Sequence, residues 1–163
     1  KCGAGEVLRY GYGMWSAANW WAFRHRWERD VARRNGSLPA AGVVLLGVGL
    51  HDELNSSFVI SHPIVSLARY VRTLPQNDRP TLVWLPVHAM GVLKPVEYQV
   101  SQSNDAVRAF NAATSAAARR FGFAVLDFWN MSRFAASFDG THAGQAVNIN
   151  KAQALLNFLS REQ

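Results

Sequence analysis

A three-layer α/β/α domain built on a parallel sheet is the fold class this sequence predicts. Short continuous apolar runs, VVLLG at 43–47, TLVWLP at 81–86 and AVLDF at 124–128, alternate with segments of helical periodicity. The segments between them are long enough for right-handed crossovers, so the strands run parallel. Glycine, histidine and aspartate collect just after the runs, where open parallel sheets gather their reactive groups.

Each element follows from its own pattern. Residues 6–12 (EVLRYGY) read as a strand. Residues 15–34 read as a helix with Trp20, Phe23, Trp27 and Val31 on one face and arginines on the other. Asn35-Gly36-Ser37 ends it and Pro39 prevents its resumption. The run at 43–47 suits a strand covered on both faces. Pro63 suits the first turn of a helix starting after Ser61 or His62, with Ile64, Leu67, Ala68 and Val71 as its apolar stripe. The run at 81–86 is the next buried strand. Ser103 or Asn104 caps a helix whose inward face is Val107, Phe110, Thr114, Ala117 and Phe121. A strand at 124–128 and a helix at about 145–160, burying Ile149, Ala152, Leu156 and Leu159, complete the order.

Composition narrows the class. The chain has 163 residues, the size of one domain, and 49% are hydrophobic, which excludes a disordered or collagen-like chain. No apolar run approaches the ~20 residues of a membrane-spanning helix, so no membrane span is expected. Seventeen Lys+Arg against eleven Asp+Glu give a net charge of +6, and the one dense basic stretch is Arg24-His25-Arg26, Arg29, Arg33 and Arg34. Cations interleaved with Trp20 and Trp27 can track a phosphate backbone. An amphipathic helix with its aromatic side inward and its arginines in water accounts for the same residues, and nucleic acid is not the expected partner. Cys2, the only cysteine, closes no disulfide within the chain. Asn-x-Ser sequons at Asn35, Asn55 and Asn130 point to the secretory pathway or the extracellular space, and to a glycoprotein.

Chemistry is concentrated at the strand ends. The strand at 43–47 runs into Gly47-Val48-Gly49-Leu50-His51-Asp52, Pro86-Val87-His88 follows the next, and Asp139-Gly140-Thr141-His142 precedes the last helix. Histidine suits proton transfer near neutral pH, and an adjacent carboxylate orients its ring and stabilises its cation. Alone, Asp-x-x-His is a weak signal that serves equally for a helix cap or a surface hydrogen bond. Three of five histidines converging on one sheet edge strengthens the functional reading. His51, Asp52, His88, Asp139 and His142 are also of metal-binding type, but no pair has the tight spacing of a dedicated zinc motif, and neither metal nor cofactor is expected.

Asp139-Gly140-Thr141-His142, Val147-Asn148 and Lys151-Ala152-Gln153-Ala154-Leu155-Leu156-Asn157 together resemble the C-terminal block of the PC-esterase branch of SGNH hydrolases. That branch includes neurexophilin-and-PC-esterase proteins, luminal domains of sialate O-acetyltransferases and plant trichome-birefringence-like acetyltransferases. Asp127-Phe128-Trp129-Asn130-Met131 is similar to its D-x-W-x-M stretch, and Val83-Trp84 before Pro86 and the strand closing at Gly49-Leu50-His51 fall in family order. The resemblance covers about residues 43–159. It implies an O-acyl (acetyl) esterase or acetyltransferase domain acting on glycans, with His142 as general base and Asp139 as its orienting carboxylate. It also implies oxyanion or auxiliary roles around Gly49, His51 and His88.

The sequence departs from that pattern at the nucleophile. No Gly-Asp-Ser block is present, and residues 6–12 match the family's second strand, so the first, serine-bearing strand is expected from outside these residues. Residues 1–163 then read as a single domain that is the C-terminal portion of a longer one. Another polypeptide segment or chain would lie between 6–12 and 43–47, completing the sheet, and Cys2 would be tied to it. Ser16 is the fallback nucleophile, without the usual acid neighbour, and Ala143 stands where an aromatic is usual. The alternative is a catalytically inactive SGNH-derived domain with a binding or structural role in a larger assembly.

Overall fold

The computed structural model describes residues 42–161 together with His25, Glu28 and Arg29. The strand at 6–12, the rest of the helix at 15–34, Cys2, Ser16 and the sequon at Asn35 lie outside the described residues, as does any strand between 6–12 and 43–47.

The described chain is an α/β unit. Strands β1 (Val43–Leu46), β2 (Thr81–Trp84) and β3 (Ala124–Val125) form a parallel sheet in the order β1-β2-β3. All three are shorter than the apolar runs that predict them. One further backbone bond continues each ladder, Leu85 N–H to Leu46 O at 2.8 Å and Leu126 N–H to Trp84 O at 3.0 Å. Pro86 then has no N–H to offer, and the chain leaves the sheet.

Register puts Val44 beside Leu82 and Leu46 beside Trp84. These four share one face and pack with Ile64, Leu67, Val71, Val107 and Phe110 in the main core. Trp84, Ile64 and Val107 are completely buried, and side chains of this size each contribute about 1.5–3 kcal/mol on burial. The opposite face of β1 carries Val43 and Leu45, exposed by 39% and 42%. On β2 the same face is covered, since Val83, the register partner of Leu45, is completely buried.

Two helices differ from expectation. The helix expected to start after Ser61 or His62 starts seven residues before Pro63: α1 (Ser56–Val59), a π-turn (Ile60–Ile64) and α2 (Val65–Thr73) run on continuously. Asn55 is the cap, its Oδ1 accepting from Phe58 N–H at 3.0 Å. Pro63 is inside the helix, where the wider turn accommodates its missing N–H and Val65 N–H reaches back to Ile60 O. The cap outweighed the proline as a start signal.

Helix α3 (Asn104–Arg120) is capped by Ser103, whose Oγ accepts from Ala106 N–H. Its buried stripe is Val107, Phe110, Asn111, Thr114, Ser115 and Ala118, a 3.6-residue period in which Ala118 replaces the expected Ala117. After the short α4 (Trp129–Ser132), α5 (Gln145–Arg161) packs against α4. No residue of α5 is fully buried: Ile149 and Leu156 are 58% and 60% exposed, Ala152 is exposed and Leu159 half-buried. The covered face is instead the one with Ala154, Leu155, Phe158 and Leu159, all half-buried, so only Leu159 of the four expected inward residues is sheltered. No described helix is long and apolar enough to cross a membrane.

Candidate functional site

The segment leaving β2 has no strand beside it among the described residues, and side chains bond its backbone. Asn111 accepts from Val87 N–H at 3.0 Å and donates to Val87 O at 2.7 Å. Ser132 Oγ accepts from Ala89 N–H at 3.0 Å. Asn104 accepts from Met90 N–H at 2.8 Å and donates to Met90 O at 3.1 Å. Asn104 and Asn111 are two turns apart on α3, about 10.5 Å along the axis, and the three-residue step from Val87 to Met90 spans about 10 Å of extended chain. The two amides therefore hold residues 87–90 as a neighbouring strand would.

This strap supports the turn that carries Asp139 and His142. Asp139 Oδ1 accepts from the N–H groups of Thr141 and His142, both at 2.8 Å, folding the chain into an Asx turn. Its Oδ2 accepts from Nδ1–H of His142 at 2.6 Å. One carboxylate thus builds the turn and orients the imidazole. The backbone N–H of His142, then its ring, then the N–H of Thr141 hold the Asp139 carboxyl far below the usual carboxylate range, so it stays ionised. With Nδ1 protonated, Nε2 of His142 is the free, basic nitrogen. The ring is 76% exposed, and Asp139 is its only side-chain partner among the described residues.

Three bonds join strap to turn. His88 donates Nε2–H to Thr141 O, Gly91 N–H donates to Gly140 O at 3.0 Å, and Lys94 Nζ donates to Thr141 Oγ1 at 2.6 Å. Gly140, at φ +74°, lies so close that a Cβ there would overlap the backbone N and Cα of Lys94. Burial pushes the His88 pKa down, the Thr141 carbonyl opposes this, and Lys151, His142 and Lys94 add to the lowering. Burial likewise lowers Lys94, against the pull of Asp139, and Lys151.

His51 is exposed in the tight turn after β1 and forms no hydrogen bond with Asp139, His142 or His88. Gly49 O accepts from Asp52 N–H at 3.1 Å and Leu54 N–H at 2.9 Å, closing that turn. Gly49 lies under the Phe110 ring, 2.7 Å from where a Cβ would stand, so no larger residue fits. Asp139, His142 and His88 are therefore brought together, while Gly49 and His51 share their edge of the sheet without bonding to them.

Lys94, Asn111 and Ser132 join the site without having been singled out from the sequence, while Asn104 was expected only as a possible helix cap and Thr141 only as part of the D-G-T-H block. The seven-residue spacing of two asparagines on a helix with a buried stripe was the available signal for Asn104 and Asn111. The contact between Lys94 and Thr141 carried none, since it spans 47 residues. Among the described residues no cluster of three or more His, Cys, Asp or Glu could hold a metal ion. No protein-family model and no curated protein matches the chain.

Proposed function

We propose that this chain is part of an SGNH hydrolase-like domain of the PC-esterase type, transferring or hydrolysing O-acyl groups, acetyl in the first place, on glycans. The observation that carries the reading is the 2.6 Å bond between His142 Nδ1 and Asp139 Oδ2, which leaves Nε2 free at an exposed edge. The parallel order of β1, β2 and β3 and the D-G-T-H block support it.

His142 is the general base and Asp139 its orienting partner. A serine from outside the described residues attacks the acyl carbonyl while its proton passes to Nε2 of His142. The tetrahedral oxyanion is stabilised at the Gly49–His51 turn. Collapse returns the proton to the departing sugar oxygen and leaves an acyl-enzyme. Attack by water completes hydrolysis, and attack by a sugar hydroxyl completes transfer, with His142 again taking the proton and returning it to the serine oxygen as the acyl–serine bond breaks. Ionised Asp139 stabilises the imidazolium in both halves. The partners are an acylated glycan and the polypeptide segment that supplies the serine strand. The exposed sequon asparagines Asn55 and Asn130 suit a secreted or luminal glycoprotein.

The test is acetate release from an acetylated oligosaccharide by the full-length protein, compared with His142→Ala. The reading expects a loss of roughly 10³-fold or more in turnover. A full-length sequence without a Gly-Asp-Ser block, together with no acetate release, leaves the non-catalytic SGNH-derived domain as the function.

A further inference from the structure

We infer that His88 is a positioning residue for His142, acting through the Thr141 carbonyl rather than on an oxyanion. The inference rests on the proposed role of His142 as base and gives His88 a task different from the auxiliary one its sequence position suggests.

The peptide group that joins Thr141 to His142 is held at both ends. Its N–H, on His142, donates to Asp139 Oδ1 at 2.8 Å, and its C=O, on Thr141, accepts from Nε2–H of His88. Rotation of this peptide would swing the Cα–Cβ bond of His142 and carry its ring away from Asp139 Oδ2. Asp139 alone restrains only the N–H end. His88 supplies the other restraint from a different part of the chain, and that part is fixed. Asn111 and Asn104 of α3 and Ser132 of α4 bind the strap before and after His88. The orientation of the His142 ring is thus referred through Thr141 and His88 to the core helix α3.

The chemistry of His88 fits this task. A carbonyl oxygen only accepts, so Nε2 of His88 carries the proton and is spent on Thr141. It is not available to a developing oxyanion. Burial keeps the ring neutral, which avoids a second cation beside His142 when that base takes its proton. Lys94, six residues beyond His88, holds the Thr141 hydroxyl at 2.6 Å and steadies the side chain but not the peptide plane.

The experiment reads the tautomer of the His142 ring by long-range ¹H–¹⁵N NMR in the wild-type protein, His88→Gln and His88→Leu, with near-ultraviolet circular dichroism as the check on folding. Glutamine keeps an N–H donor near the position of Nε2, and leucine has none. The wild type and His88→Gln should hold His142 as the Nδ1–H tautomer. In His88→Leu the ring should become a mixture containing the Nε2–H form. An unchanged tautomer in folded His88→Leu overturns the inference. Loss of the Nδ1–H form in folded His88→Gln overturns it too, and this decides the matter if His88→Leu does not fold. In the full-length protein, kcat should fall on the order of 10–100-fold in His88→Leu with KM unchanged, and His88→Gln should recover most of it. The tautomer is read without turnover. A protein lacking acyl transfer but showing the tautomer change would contradict the proposed function and leave the positioning role intact.

Discussion

Replacing Asn111 by leucine removes both partners of the Val87 peptide groups without opening a cavity. Val87 is 8% exposed and Asn111 9%, so water cannot take over either bond. Each buried backbone group left unpaired costs about 1–3 kcal/mol, and the added apolar surface of leucine offsets part of the sum. The net loss should be about 2–4 kcal/mol, a large share of the ~5–15 kcal/mol by which domains are stable. Asn104→Ala offers the internal comparison. It too removes two backbone bonds, those of Met90, which is itself buried at 6% exposure, but Asn104 is exposed and its truncation lets water in where the amide stood, so the cost should be about 1 kcal/mol or less. Urea denaturation measures both. With a slope of ~2 kcal/mol per molar, Asn111→Leu should lower the midpoint by ~1–2 M and Asn104→Ala by under ~0.5 M. Asn111→Leu within about 0.5 kcal/mol of wild type would refute the idea that this side chain stands in for a missing strand.

Further outcomes follow from the turn. Gly140→Ala should drive the turn away from Lys94, and hydrogen exchange at the Gly91 amide, which donates to Gly140 O, should accelerate. Asp139→Asn keeps an acceptor for the Thr141 and His142 N–H groups but its amide nitrogen cannot accept from Nδ1–H, so the amide shifts of the turn should persist while the proposed acyl transfer falls about 10⁴-fold. His88 has a folded pKa below its ordinary 6.5, so the unfolded chain binds that proton more tightly. The His88 contribution is therefore complete above about pH 6.5 and is lost as pH falls towards the folded value, and this acid-side decline in urea midpoint should be absent in His88→Gln. Asp139 has its pKa lowered on folding, so the turn should hold above about pH 4 and loosen only in stronger acid, as followed by the Thr141 and His142 amide shifts.

The sheet was legible because its evidence is local: VVLL and TLVW are unbroken apolar runs, and parallel pairing follows from the helices between them. Helix α3 was legible for the same reason, its stripe repeating over 17 residues. The start of the α1–α2 helix was misjudged because Pro63 is a strong local signal, whereas its tolerance inside a π-turn is a property of the folded helix. Ile149 and Leu156 of α5 illustrate a different limit. Periodicity shows that a helix has an apolar face but not what covers it. In the site, Asp139 and His142 could be paired on sequence because they are three residues apart on a glycine turn. His88 could be assigned to the same edge but not to its partner, since the bond to Thr141 crosses 53 residues and runs to a backbone atom whose orientation no side-chain pattern records.

The central claim is that His142, set by Asp139, activates a serine. Mass spectrometry of the full-length protein after reaction with an alkyl fluorophosphonate, which captures activated serines, tests it most directly. The account predicts a single adduct, on a serine in a Gly-Asp-Ser block outside residues 1–163, formed at least 10²–10³-fold more slowly in His142→Ala and in Asp139→Asn. No adduct on the wild-type protein, or an adduct formed equally fast in His142→Ala, would contradict it.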